Sequence, residues 1–335
     1  MLTPRPLARY PVDMDEQDFL NEIAANPAAD APRLVFADWL EERGDLRAEL
    51  LRLLNDLIHI DVPDRAAKEA RMRALLYEKN VPPLMPTFTN SLGMKFVQIP
   101  PGEFMMGAPD DEAEARHDEK PQHSVTISKP FWLGVHPVTQ AEYQTVMNET
   151  PSWFSQRDVD VDGGDVAGID TSRFPVELVT WKDATEFSRR LTKKSNGWNY
   201  RLPTEAEWEF ACRAGTTTAF HCGESLTSAQ ANFDAKRPTK VGSFQPNAFG
   251  LHDLHGNVWE WCSVWFGGGS DDAQVNPTDL SDGRDYPADS AGTRVHRGGS
   301  WSIHAGDCRS AGRREIRPAY QGVNLGFRVA AVQPN

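Results

Sequence analysis

Hydrophobic residues recur at helical spacing along residues 1–80. The periodicity predicts four helices, over residues 15–25, 31–42, 47–60 and 65–78. Asp30 is predicted to cap the second helix, and Gly44 follows its end as a stop signal. Residues 1–80 are therefore predicted to form a small all-α domain.

The pattern changes after a proline-rich linker at residues 81–87. Short apolar runs predict β-strands, at Lys95–Ile99, Ser124–Ile127 and Trp132–Val135. Three threonines each precede an acid by three positions and predict helix starts, at Thr139, Thr180 and Thr204. Long segments rich in Gly, Asn, Asp and Pro follow Gly215. Residues 88–335 are thus predicted to form one loop-rich α+β domain, in which long loops are usually functional or held by a metal ion.

Composition excludes several classes of function. The 335 residues carry a formal net charge of −13, which repels phosphate backbones and argues against nucleic-acid binding. There is no apolar run long enough to cross a membrane and no apolar leader segment, so a cytoplasmic location is expected. The four cysteines lack the CxxC spacing of a structural zinc site.

Two stretches resemble known families. DEQDFLNEIAANPAADAPRLVFADWLEERGD is similar to the repeat-companion domain, a helical module that carries no catalytic assignment. The segments NSLGMKFVQIPPGEFMMG, PVTQAEYQTVMN, RLPTEAEWEFACRAG, FGLHDLHGNVWEW, RGGSWSIHAGDCRSAGRR and NLGFRVA resemble the sulfatase-modifying-factor family, which includes the formylglycine-generating enzyme. The resemblance implies a formylglycine-generating-enzyme-like fold of C-type-lectin type for residues 88–335.

The resemblance also implies where catalysis would occur. The active oxidases of the family bind copper between two cysteines that follow the GGS turn, and counted from Ser300 these places are Ile303 and Cys308. A soft thiolate pair suits Cu(I), and this chain has one sulfur. Copper binding is therefore not expected, and Cys308 is interpreted as a buried structural residue near Cys262. His304 is the neighbouring candidate for a replacement ligand, but a lone histidine in a polar loop is usually a surface residue.

The resemblance implies a calcium site as well. Its ligands would be the side chains of Asp253 and Glu260 and the carbonyls of Gly256 and Val258, all hard oxygens. The alternative is that Asp253 caps a turn and that Glu260 pairs with an arginine. A second calcium site of the family would use Asn232 and Phe233, but the acidic loop that completes it is missing between Asp234 and Pro238.

The C-terminal loops are the predicted ligand-binding region. Framework residues bracket variable-looking spans, and binding residues concentrate on such loops. The candidate contacts with a protein or small-molecule ligand are Ser302, Ile303, His304, Asp307, Arg314, Glu315, Tyr320, Gln321, Val323 and Asn324. This arrangement resembles the variable proteins of diversity-generating retroelements.

Two classes of function follow from these observations. The first is a non-catalytic binding or accessory module, with diversification of the C-terminal segment as a further hypothesis. The second is a metal-dependent oxidase with altered ligands, whose pocket would be lined by Ser300, His304 and Cys308. The sequence favours the first class because a single thiolate cannot form the two-sulfur site.

Overall fold

The computed structural model describes residues 14–155, 166–195, 197–265, 274–276 and 292–333. The described residues form seven α-helices and twelve strands. The helices are, in chain order, α1 Glu16–Ala25, α2 Asp30–Glu41, α3 Arg47–Leu57, α4 Arg65–Arg73, α5 Gln140–Met147, α6 Trp181–Lys194 and α7 Glu205–Arg213. The strands are β1 Thr87–Thr89, β2 Lys95–Ile99, β3 Gly102–Met106, β4 His123–Ile127, β5 Phe131–Gly134, β6 Asn199–Arg201, β7 Trp259–Trp265, β8 Gln274–Val275, β9 Arg294–Arg297, β10 Arg313–Ile316, β11 Leu325–Phe327 and β12 Ala330–Val332.

The four predicted N-terminal helices are present, with three corrections. Asp15 is the N-cap of α1 rather than its first helical residue, and it forms a capping box with Asp18. Asp30 does not cap α2, because it is the first helical residue and the N-cap is Ala29, which makes no side-chain bond. Its carboxylate instead lies 3.7 Å from the guanidinium of Arg33, one turn along the helix. The third helix ends at Leu57, three positions before its predicted end.

The helical region shares a hydrophobic core with the rest of the chain. Buried apolar residues of α3 and of the π-helical turn Ala74–Glu78 pack in one cluster with residues from the part of the chain after position 88. This cluster includes Leu54, Leu57, Leu75, Phe104, Phe210 and Leu251. A Cβ on Gly102 would lie 2.6 Å from the carbonyl oxygen of Ile58, so the two regions are in close contact. The tyrosine hydroxyl of Tyr77 also lies 2.7 Å from Nδ1 of His221.

The linker is packed rather than free. Val81 is buried, and its N–H donates to the carbonyl of Leu75. Met85 packs against the shared cluster, and Leu84 packs against the small core of α1 and α2. The division at residues 81–87 therefore stays a prediction about sequence units, while the two units are in direct contact in the fold.

The described strands of residues 87–332 form three sheets. The largest has the order β1-β2-β5-β12-β6, so the C-terminal strand is inserted between β5 and β6. A second sheet has the order β10-β9-β7-β11, in which β11 runs parallel to β7. The third has the order β3-β4-β8. The second sheet positions the C-terminal loops, because these loops connect β9, β10 and β11.

All three predicted capping boxes are confirmed. The hydroxyls of Thr139, Thr180 and Thr204 accept the N–H of an acid three positions later, and that acid bonds back to the N-cap N–H. Each box satisfies backbone donors that a helix start leaves unpaired. None of the helices in the described ranges combines the length and apolar character that a bilayer-spanning helix needs.

Buried ion pairs hold the second sheet to the helices. Arg297, at the end of β9, pairs with Glu209 and lies 3.3 Å from Glu205. Arg313 pairs with Glu205 at 2.7 Å. Arg309 pairs with Glu112 at 2.5 Å and with Glu119 at 2.7 Å. These pairs fix the start and end of the C-terminal loops from beneath.

Candidate functional site at the C-terminal loops

The turn after β9 brings the predicted pocket residues together. Gly298 and Gly299 have φ angles of +95° and +76°, which residues with a Cβ rarely adopt. A Cβ on Gly299 would lie 2.4 Å from Sγ of Cys308. The two glycines therefore allow the Ser300 turn to lie directly against the thiol.

Cys308 is enclosed by apolar side chains. It ends the 3-10 turn Ala305–Cys308 and belongs to a cluster with Ala219, Phe220, Leu226 and Ala231, against which Ile303 packs. Burial raises the pKa of the Cys308 thiol to about 12, because a thiolate would lose its hydration there. The thiol is thus protonated at neutral pH and is a weak nucleophile and metal ligand.

The expected proximity of Cys308 to Cys262 is not observed. Cys262 belongs to the large core shared with the helices, whereas Cys308 belongs to the smaller cluster around Phe220. No disulfide joins any of the four cysteines. Cys308 is therefore a buried thiol without a sulfur partner in its own cluster other than Cys222, whose pKa burial raises to about 11.

His304 lies at the surface. Its side chain is 70 % exposed, and its ring nitrogens lie 3.6 Å from the carboxylates of Glu114 and Asp307. Arg314 pairs with Asp307 on the other side. We call Glu114, His304, Asp307 and Arg314 the polar patch. Its histidine faces acids and solvent, which fits a surface residue better than a replacement metal ligand.

Polar groups around Ser300 bond to one another. Nδ2 of Asn324 donates to Oγ of Ser300 at 3.2 Å and to Oγ of Ser302 at 2.9 Å. The two hydroxyls are 3.2 Å apart. Ser300 is fully buried, whereas Ser302 is exposed. This network links the turn after β9 to the loop before β11.

Aromatic side chains border this network. Nε1 of Trp301 donates to the carbonyl of Val323 at 3.4 Å. Tyr320 is 45 % exposed, and a Cβ on Gly322 would lie 2.8 Å from its ring and 3.0 Å from Oδ1 of Asn324. The missing Cβ of Gly322 thus lets Tyr320 and Asn324 lie close together. We call Trp301, Ser302, Tyr320, Val323 and Asn324 the aromatic surface.

The structure divides the predicted ligand contacts into groups. Four of them belong to the aromatic surface and three to the polar patch. Ile303 lies half-buried between two apolar clusters, and Gln321 is exposed beside Tyr320. Glu315 stands apart, because it lies on β10 and accepts a hydrogen bond from the hydroxyl of Thr293.

One neighbouring turn was not predicted from the sequence. The ring of Phe154, in the turn Ser152–Ser155, lies edge-on to Trp301 at 5.3 Å. Beneath it, Oε1 of the fully buried Glu177 accepts the N–H of Phe154 at 2.9 Å, while Oε2 has no partner. Burial raises the pKa of Glu177 to about 7. Glu177 is a single acid within an apolar run, so the sequence alone does not predict that it binds the backbone of the Phe154 turn.

Of the predicted calcium ligands, the carboxylate of Asp253 has an environment that suits a cation. Asp253 has a φ of +59°, and its Oδ2 accepts the N–H of Gly242 at 2.7 Å. Its Oδ1 is buried without a partner, and burial raises the pKa of this carboxyl. A bound cation would satisfy that oxygen and favour the ionised carboxylate.

Glu260 does not fit the same role. Its Oε1 accepts from Nη2 of Arg328 at 2.8 Å, and its Oε2 accepts from Nε1 of Trp208 at 2.7 Å. The alternative of an ion pair with an arginine is therefore what the fold contains. Across the described ranges, no group of three or more His, Cys, Asp or Glu side chains is arranged to hold a metal ion.

The groups predicted to form the second calcium site make hydrogen bonds and apolar contacts within the protein. Nδ2 of Asn232 donates to the carbonyl of Arg237 at 3.0 Å, and the carbonyl of Asn232 accepts the N–H of Asn257 at 2.8 Å. Phe233 packs against the Cys308 cluster. These contacts hold the segment to the loop of residues 253–257.

Comparison with known proteins identifies the larger region. The sulfatase-modifying factor enzyme 1-like domain matches residues 82–332. The chain belongs to this family. Serine/threonine-protein kinase pkn1 of Chlamydia pneumoniae is 33% identical over 265 residues, which cover 76% of this chain and 39% of that protein. The chain thus spans about two fifths of the length of its chlamydial relatives.

Other relatives share more of their length with this chain. Formylglycine-generating enzyme of Streptomyces coelicolor is 30% identical over 293 residues, covering 70% of this chain and 88% of that protein. PvdO from Pseudomonas aeruginosa has a TM-score of 0.58 at 29% identity, covering 73% and 97% of the two chains. Treponema denticola variable protein 1 has a TM-score of 0.58 at 26% identity, covering 75% and 100%. These likenesses confirm the predicted formylglycine-generating-enzyme-like α+β fold of C-type-lectin type.

Proposed function

We propose that this protein is a non-catalytic recognition module whose aromatic surface and polar patch bind a protein or small-molecule ligand. The observation that carries the proposal is the state of the ancestral cysteine pair. One position is Ile303, and the thiol at the other, Cys308, is buried with its pKa raised to about 12. The aromatic surface and the polar patch lie next to these two positions and expose side chains on a hydrogen-bonded backbone.

The donor set does not fit a copper ion held between two sulfurs. Ile303 offers no donor atom, and the imidazole of His304 is engaged near Glu114 and Asp307. Soft two-sulfur coordination of Cu(I) needs both positions. No oxidation step is therefore assigned to this chain.

The proposal is tested with a cysteine-containing sulfatase peptide. The purified chain is incubated with the peptide, Cu(I) and oxygen, and the aldehyde product is measured by mass spectrometry. The formylglycine-generating enzyme of Streptomyces coelicolor serves as the positive control. We expect no aldehyde from this chain, and turnover by it would overturn the proposal.

Diversification of the C-terminal segment is the finer part of the proposal. It is supported by the likeness to Treponema denticola variable protein 1 and by exposed side chains on a fixed frame. The gene's neighbourhood provides the test. We expect a reverse transcriptase and a near-copy of the segment that encodes residues 300–324, and the absence of both would remove this part alone.

The alternative function is a metal-dependent oxidase with altered ligands. Its support is the 30% identity to the Streptomyces enzyme. The pocket would then use Ser300, His304 and Cys308. Redox activity that is lost in Cys308→Ala would favour it.

We also propose a structural calcium ion beside Asp253, supported by the buried, unpartnered Oδ1. The carbonyls of Gly256 and Val258 are the expected further ligands, and the Glu260 carboxylate is not required. A chelator should lower the melting temperature of the wild-type chain and leave Asp253→Ala unchanged. Equal melting temperatures of the wild-type chain with and without chelator would count against the ion.

A further inference from the structure

Exposed aromatic side chains concentrate beside the aromatic surface. In the described part of the chain the exposed large hydrophobic residues are Leu34, Leu46, Trp153, Val275 and Tyr320. Tyr320, at 45% exposure, belongs to the aromatic surface, and Trp153, at 43%, directly precedes Phe154, whose ring contacts Trp301. Single exposed apolar residues need no explanation, but two exposed rings on neighbouring segments are typical of a binding surface.

The backbone that carries Trp153 is held on several sides. Within the turn Ser152–Ser155, the N–H of Phe154 donates to Glu177 at 2.9 Å, and the carbonyl of Phe154 accepts from Nε2 of Gln140 at 2.9 Å. The N–H of Ser155 donates to the carbonyl of Trp153 at 2.9 Å. The indole is therefore presented by a fixed backbone, which lowers the entropy lost when a partner binds.

The turn is also tied to the aromatic surface. Phe154 lies edge-on to Trp301, and Glu177 is followed by Leu178, whose N–H donates to the carbonyl of Gly322 at 3.0 Å. Gly322 in turn lies against Tyr320. One continuous set of contacts therefore joins the segments that carry the two exposed rings.

The polar groups at this place favour a protein partner over a sugar. The hydroxyls of Ser300 and Ser302 and the amide N–H groups of Asn324 bond to one another. A sugar would need such groups free for its own hydroxyls, whereas exposed tryptophan and tyrosine rings on a rigid frame are the anchors of protein interfaces.

Charge favours a basic partner. The chain has a net charge of −13, and the face of an indole attracts cations. Among aromatic rings the indole attracts cations most strongly, so Trp153 is a better place for a positive charge than Tyr320.

We propose that Trp153 is a specificity residue of the recognition surface and that the partner is a basic protein segment whose Lys or Arg side chain lies over the Trp153 indole. This inference rests on the proposed recognition function and names the class of its partner. It adds to the surface a residue that lies outside the C-terminal segment.

The probe is a phage-displayed library of random peptides selected on the full chain. We expect the selected peptides to be enriched in Lys and Arg and their affinity to fall about tenfold or more in Trp153→Ala. Trp153→Phe should retain part of the affinity because it keeps an aromatic face. Leu34→Ala, which removes an exposed apolar side chain elsewhere, should change nothing, and thermal melts confirm that each variant is folded.

Other outcomes separate this inference from the function on which it rests. Peptides that lose affinity in Tyr320→Ala or Asn324→Ala but bind Trp153→Ala normally would overturn the role of Trp153 and leave the recognition surface standing. Selected peptides without basic enrichment would overturn the basic partner. A library that yields no peptide dependent on any of the three residues would overturn both proposals.

Discussion

The apolar cluster around Cys308 and the aromatic surface both lie next to Ser300, but they differ in exposure to solvent. On one side, the thiol of Cys308 is fully buried among apolar side chains, and this environment raises its pKa. On the other side, Ser302 and Tyr320 are exposed, while Asn324 holds the backbone turns together through hydrogen bonds. The first arrangement suppresses reactivity, and the second presents groups to solvent.

The two sides depend on one frame. The same glycine turn and buried ion pairs support both sides, and these contacts do not need a cysteine at position 303. Binding needs exposed groups on a rigid support, whereas two-sulfur metal chemistry needs a second donor that Ile303 lacks. The frame is therefore compatible with recognition without the ancestral reaction.

The largest effect is expected from removing the shared support. Arg297 is fully buried, pairs with Glu209 and donates to the carbonyls of Ala311 and Gly312 at 2.6 and 2.8 Å. Arg297→Ala should lower the free energy of unfolding by about 3–5 kcal/mol, because it leaves buried acceptors unpaired. Urea unfolding measures it, with Arg189→Ala, on the exposed face of α6, as a control that should show no resolvable change. A small loss in Arg297→Ala would mean that the two sides do not share this support.

A smaller and pH-dependent effect is expected at Glu177, beneath the aromatic surface alone. Its pKa is about 7 in the fold against 4.5 as the ordinary value. Between these values the unfolded chain releases the proton while the folded chain keeps it, so this group's stabilisation is full below pH 4.5 and is lost as the pH rises through 7.

Glu177→Gln cannot ionise and should remove that slope. The difference in free energy of unfolding, variant minus wild type, should rise by on the order of 3 kcal/mol from acidic to mildly alkaline pH. Urea unfolding at pH 5 and pH 8 measures the change, and other titrations cancel in the difference between the two proteins. Parallel pH profiles for the two proteins would show that Glu177 does not titrate in this range.

The smallest effect on stability is expected within the aromatic surface. Asn324→Ala removes hydrogen bonds to Ser300 and Ser302 and should cost about 1 kcal/mol, while it abolishes binding of selected peptides. Gln321→Ala, an exposed neighbour, should leave stability unchanged. If Asn324→Ala bound ligands normally, the aromatic surface would have to be redefined.

Local features of the sequence predicted local structure well. Thr139, Thr180 and Thr204 cap helices because a hydroxyl and an acid three positions apart satisfy the same backbone donors wherever they occur. Family motifs extended this to the fold. Asp30 was assigned wrongly because an acid suits both a cap and a first helical turn, and only the backbone conformation of Ala29 separates the two.

Long-range features were beyond sequence reasoning. Arg309 pairs with Glu112 and Glu119, which come from a loop far away along the chain, rather than with the acids of α7. Trp153 joined the site only through the contact of its neighbour Phe154 with Trp301. Spacing along one strand or helix contains no information on such contacts, because chain topology creates them.

Cu(I) titration against a competing chelator measures whether the residues around Cys308 can hold a copper ion. Ile303→Cys restores a second thiol against the same apolar cluster as Cys308 and serves as the matched gain-of-function control. We expect wild type and Cys308→Ala to take up no stoichiometric copper, whereas Ile303→Cys should bind one ion per chain. Tight one-to-one binding by wild type that disappears in Cys308→Ala would show that one thiol is enough for a copper site.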